Sequence, residues 1–136
     1  MISRNARVVA VFVQTAPVLL GVPLYLAAFS WAGMLVYFFP GVFMVIAGLV
    51  AALIARLLAP PGFVRAAAAG SLQFHGIVLI VAVIVLVLVY AAVFAGGYMG
   101  AAGTGGALLG VLLPIVEILR SLTWGVAAAR QTSHPG

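Results

Sequence analysis

Glu117 is the only acidic residue in the chain, and it lies inside an apolar stretch. A carboxyl group in that position could carry a proton or a cation through a membrane, or it could lock helices together as half of an ion pair. Three other polar side chains fall where they could join it. Arg120 is three residues further on, on the same face of a helix. Arg56 sits near the end of an earlier apolar run and could reach inward. Gln14 is about seven residues beyond Arg7, at a comparable depth. Glu117, Arg120, Arg56 and Gln14 are therefore expected to form one intramembrane polar cluster. An ionised acid at the centre of a membrane helix costs about 2.5–3.5 kcal/mol on insertion scales. A nearby arginine favours the charged carboxylate, whereas a carrier must gain and lose its proton. Helix locking is the first expectation, transport the second.

His75 and Gln73 raise a haem or quinone reading. A bis-histidine haem needs two buried imidazoles, and the second histidine, His134, is in the polar tail. His75 is thus expected to be an interfacial histidine without a site. The remaining chemistry is excluded more directly. A lone carboxylate cannot form an acid–base pair of carboxyls, and no nucleophile stands at a recognisable spacing from a base. The absence of cysteine removes disulfides, thiol chemistry and Cys-ligated metal sites. No catalytic residue, cofactor or metal ligand is expected, and the chain reads as non-enzymatic.

The elements that hold these residues are set by the solvent. Of 136 residues, 67% are hydrophobic and 5% charged, against roughly 25% charged in a soluble domain. Such a chain cannot cover a water-facing surface, so its partner is first of all the lipid bilayer. The basic balance comes from six scattered arginines, with no basic run or aromatic platform for nucleic acid. From Val8 to Ala59 about 52 residues carry no charge but Arg56. As one helix they would be roughly 78 Å long, while the hydrocarbon core is only ~30 Å thick. They must cross twice, with a turn expected near Ser30 to Gly33. Trp31, Tyr37, Phe38 and Phe39 suit the interface there, and Pro40 suits a first helical turn. The opening apolar run is longer than a signal peptide's core, so it is expected to stay as a first span.

Ala59-Pro60-Pro61-Gly62 is a stop. The stretch from Phe63 to His75, with polar residues among alanines and aromatics, predicts a short interfacial helix. Gly76 to Ala95 follows as an almost wholly aliphatic span, expected at the periphery because it lacks a small-residue stripe. The glycine-rich segment from Gly96 to Gly106 is expected to be a flexible outer loop. The fold class is therefore an all-α membrane protein, one integral domain over 1–136, with four transmembrane helices at about 8–29, 34–59, 76–95 and 107–126. Ala47, Ala51 and Ala55, together with Gly106 and Gly110, offer helix-packing seams, since small residues let backbones approach in lipid. Pro114 removes a backbone donor and frees a carbonyl near Gly110. Arg4, Arg7, Arg56, Arg65, Arg120 and Arg130 all flank the same alternate set of connections. The positive-inside tendency then places both termini in the cytoplasm and the chain in the inner membrane.

Phe63-Val64-Arg65, the alanine-rich stretch from Ala66 to Ser71 and Leu72-Gln73-Phe74 resemble a small bacterial four-span membrane family related to the Tic-type component of chloroplast protein import. The segment from Ala127 to Arg130 is similar to the alanine-plus-basic end of that family's last helix. The chain departs from the family at Gln73 and lacks the acidic and histidine residues of the preceding stretch. The resemblance covers about half the chain. It implies a four-helix fold and a role beside a transport or translocation machine, and no catalytic residues. The chain also resembles rotary-ATPase proteolipids in placing an acid in its last helix, but its third span lacks their glycines. Small multidrug exporters carry their acid in the first span, where this chain has Gln14. The leading expectation is a non-enzymatic accessory or structural subunit of a larger membrane complex, with a membrane-protein partner or a homo-oligomer. The alternative is a small ion-coupled transporter or channel component using Glu117. A third is a lipid- or quinone-binding module with clefts near Tyr90 or Trp124.

Overall fold

The structure is a computed structural model that describes residues 1–32, 39–96 and 99–133. Gly33, Tyr37, Phe38 and His134, which entered the turn, interface and haem readings, lie outside the described residues. The described residues are helical, with α1 at Arg4–Leu19, α2 at Gly21–Ala32, α3 at Pro40–Leu58, α4 at Phe63–Gly96, α5 at Met99–Ala107 and α6 at Leu113–Arg130. A π-helical turn, Leu108–Leu112, joins α5 to α6. Grouped end to end, they make four helices long and apolar enough to cross a membrane: Arg4–Ala32, Pro40–Leu58, Phe63–Gly96 and Gly103–Arg130.

Local chemistry explains the boundaries. Ser3 caps α1, its Oγ accepting from the Ala6 N–H at 3.1 Å, the usual device for an orphan first-turn donor. The α1–α2 joint at Leu20 lies where Pro23 can offer no N–H to the preceding turn. Pro40 begins α3, as expected of a proline in a first turn. Ala59, held extended before Pro60, ends that helix. Gly62 has φ 142°, a value that favours glycine, and its carbonyl accepts the Ala66 N–H at 3.0 Å to start α4.

Two expectations are refined by the structure. One is an addition: the stretch from Phe63 to His75 and the span from Gly76 are continuous, since α4 runs unbroken for 34 residues, about 51 Å at helical rise. The glycine-rich segment is not a loop over its described part, because Met99 to Ala107 is helical. In lipid a backbone must satisfy its own hydrogen bonds, and that requirement outweighs glycine's weak intrinsic propensity. Glycine is used there for proximity, since a Cβ on Gly105 would stand 2.6 Å from Val89 Cγ2.

α1 and α3 form the middle of the bundle, each packed on α4 and α6, while the backbones of α4 and α6 are not in close contact. The core of one half is Val13, Ala52 and Ala68. The other half is built on close approach: a Cβ on Gly21 would lie 2.6 Å from Met44 Cα, and one on Gly41 would lie 2.8 Å from the Leu109 carbonyl oxygen. The α3 seam thus runs through Gly41, Gly48 and Ala52. Of the expected alanines, Ala47 is buried and Ala51 and Ala55 are half-buried; Gly106 and Gly110 are half-buried as well. The distal part of α4 lies on the outside, as its composition suggested: from Ile77 to Gly96 only Ala82 is buried. The two chain ends meet, with the Ile2 N–H donating to the Thr132 carbonyl at 3.0 Å.

Candidate functional site

The site starts from the small residues that let three helices converge. Gly48 on α3 brings backbone against the imidazole of His75: a Cβ there would stand 2.5 Å from Nε2 and 2.8 Å from Pro17 Cγ. Ala68, Ser71, His75 and Ala82 form the buried face of α4, and Glu117, Ser121, Gly125 and Ala128 that of α6. Gly125 lets α1 approach α6, since its Cβ would meet Thr15 Cγ2 at 2.8 Å.

His75 and Glu117 are both completely buried and face each other, with Nε2 2.9 Å from Oε2. This is the main correction to the sequence reading, which left His75 without a site. The tautomer follows from the neighbours. His75 Nδ1 lies 2.7 Å from the Ser71 carbonyl oxygen and 3.1 Å from Ser71 Oγ. A carbonyl can only accept, so Nδ1 carries a proton and donates to it. In a neutral ring Nε2 would then hold a lone pair. Two acceptors do not sit 2.9 Å apart without a proton between them. The pair therefore holds one shared proton, either as imidazolium–carboxylate or as imidazole–carboxylic acid. In both forms its net charge is zero, which is how an acid is tolerated at this depth.

Glu117 Oε1 and Ser121 Oγ, also buried, hydrogen-bond no protein group among the described residues. Ser121 is one helical turn from Glu117 towards Arg130, on the same face.

The expected four-residue cluster divides. Arg120 and Gln14 do come together: Arg120 Nη1 donates to Gln14 Oε1 at 3.1 Å, and Gln14 Nε2 donates to the Ala67 carbonyl at 3.2 Å. Arg120 does not pair with Glu117, and the only ion-pair contact among the described residues is His75–Glu117. The guanidinium lies instead over the Phe74 ring, 4.3 Å from its centroid, and 5.9 Å from that of Trp124. Three residues along a helix is one turn minus about 60°, enough to carry a long side chain out of the buried face. Arg56 is exposed at the end of α3 and makes no hydrogen bond or ion pair with the other three among the described residues.

Among the described residues the buried polar side chains are Gln14, Ser71, His75, Glu117 and Ser121. All lie from the arginine-bearing end inward to the His75–Glu117 level and stop there. Beyond it the buried residues include Gly21, Gly41, Met44, Val45, Ala82, Gly105 and Leu109, none with a polar side chain. The π turn sits in that apolar half. The Leu113 N–H bonds to the Leu108 carbonyl. The donor in register for Leu109 would come from Pro114, which has none, and the Leu109 carbonyl turns to the Gly41 backbone. No group of three or more His, Cys, Asp or Glu side chains occurs among the described residues to hold a metal.

This geometry defines a four-helix apolar bundle with one enclosed acid–imidazole pair. No protein family, curated protein or solved structure matches the chain.

Proposed function

We propose that the protein is a non-enzymatic, multi-pass subunit of the inner (cytoplasmic) membrane, an accessory or structural component of a larger membrane complex. Both termini and all arginines face the cytoplasm, and Phe63 to His75 enters the bilayer from that interface. The His75–Glu117 pair is a neutral pin between α4 and α6, two helices whose backbones are otherwise not in close contact. One observation carries the reading. Among the described residues the buried polar side chains gather towards the pair from one end only, and the pair itself has no exposed surface, so it acts as a sealed polar contact between helices with an apolar core beyond it. The uncovered aliphatic face of α4 supports a partner. Native gel electrophoresis after mild extraction tests this: co-migration with a second membrane protein is expected, and a free monomer under all mild conditions overturns it.

A second reading, a small ion-coupled component, draws on the unpartnered Glu117 Oε1 and Ser121 Oγ, which provide acceptor and donor capacity next to a shared proton. It requires that Glu117→Gln abolish proton-linked flux in liposomes while the fold persists. An inert wild-type protein under every imposed gradient eliminates it.

A further inference from the structure

Among the described residues, Arg120 is the arginine placed well inside the bundle. Ten residues from Arg130, it lies about 15 Å along the helix from that end. The only acidic side chain, Glu117, is hydrogen-bonded to His75 and forms no ion pair with the guanidinium among the described residues. A guanidinium has five N–H donors, and Arg120 uses one, towards Gln14, in the hydrogen bonds of the described residues.

Its surroundings are shaped for a ligand. Residues of α4 and α6, with Gln14 of α1, enclose a cleft of about 330 Å³. Phe63, Phe74 and Trp124 wall it, Ala66, Ala67 and Gly70 line its α4 side, and Gln131 stands at its edge. The volume is at the small end of ligand pockets, right for a headgroup and too small for a whole lipid. Neither Glu117 nor His75 lines it, so it is distinct from the buried pair. Next to it the exposed aliphatic side chains of α4, including Ile77, Ile80, Val81 and Ile84, continue towards the membrane centre as a track for an acyl chain.

We propose that this cleft binds the phosphate of an anionic lipid headgroup, with Arg120 as its charged anchor. Guanidinium and phosphate match in charge and in donor geometry, and basic pockets between membrane helices on the cytoplasmic side hold such headgroups. The aromatic rings fix the guanidinium plane and keep water from screening it. A neutral lipid of the same chain length gives the pocket no net charge to balance, so the site discriminates.

The test uses the full-length protein in nanodiscs of phosphatidylcholine with or without phosphatidylglycerol, read by native mass spectrometry and thermal unfolding. Retention of phosphatidylglycerol over phosphatidylcholine is expected, with a higher unfolding temperature. Arg120→Gln should weaken retention roughly tenfold, the loss of one charge-assisted contact. Gly70→Leu is the second variant: a Cβ at Gly70 meets nothing within 4 Å, so the helix accepts it, while the longer side chain blocks the cleft. It should abolish the preference and leave the His75–Glu117 pair intact. Equal retention of both lipids, or an unchanged preference in a folded Gly70→Leu protein, overturns the proposal. Equal protection by inorganic phosphate alone, without lipid discrimination, also overturns it in favour of a soluble anion.

Discussion

The shared proton between His75 and Glu117 makes different substitutions of one residue behave differently. Glu117→Gln keeps a donor for His75 Nε2, because the amide N–H can replace the carboxyl proton, and it keeps the site neutral. Its expected cost is within about 1 kcal/mol, in line with hydrogen bonds between membrane helices. His75→Ala strands the carboxyl with no imidazole, and an unsatisfied buried polar group costs about 1–3 kcal/mol. Reversible unfolding in mixed micelles should rank the two in that order. Adding Glu117→Leu to His75→Ala should recover stability, since removing both partners leaves nothing unpaired. A double variant as unstable as the sum of the singles would mean that the two residues do not act as a pair. Glu117 was legible in the sequence as a lone intramembrane acid, whereas its partner was not. His75 looked interfacial because Arg65, Ser71 and Gln73 share its stretch. The missed signal is periodic: Ala68, Ser71, His75 and Ala82 fall on one helical face with the small and polar residues inward.

At the scale of elements, glycine placement decides where helices can close. A Cβ at Gly48 would press on the imidazole and on Pro17, neither of which can retreat without breaking the pair or shifting α1. Gly48→Ala is expected to destabilise by about 1–3 kcal/mol, the usual cost of overpacking, and to move the His75 ring resonances. Gly76→Ala has open space around it and should be neutral or stabilise by up to about 1 kcal/mol through helix propensity. Thermal unfolding of both variants checks the contrast, and equal effects would remove Gly48 from the seam. Composition showed that the helices exist but not which small residues they meet on. Alanines at spacing four and glycines beside them were equally available on α3, and only the approach of Pro17 and His75 selects Gly48. The glycine run before α6 misled for a related reason: glycine marks loops in water, yet here Gly105 marks contact with Val89. The π turn before Pro114 had a partial signal, the missing proline donor, but its register depends on how α3 presents Gly41.

For the whole molecule, crossing number and charge make one joint prediction. Four crossings bring both ends to one side, and the Ile2–Thr132 hydrogen bond places them in contact. Arg4, Arg7 and Arg130 belong to that end, and so do Arg56 and Arg65 around the α3–α4 turn. The opposite end, from which α5 starts, carries no arginine. Retaining a positive loop outside costs more than retaining a neutral one, so the distribution orients the bundle as well as dividing it. The cysteine-free chain makes this directly measurable. Pro61→Cys and Gly100→Cys place single thiols at exposed positions at opposite ends. In intact cells an impermeant maleimide should label the Gly100→Cys protein, and the Pro61→Cys protein only after lysis. Fusion reporters at the two termini should both read as cytoplasmic. Labelling of both thiols from one side would break the four-crossing arrangement. Labelling of Pro61→Cys alone in intact cells would keep the crossings but invert the molecule. The Arg120 cleft would then face the other leaflet, and its lipid would have to come from there.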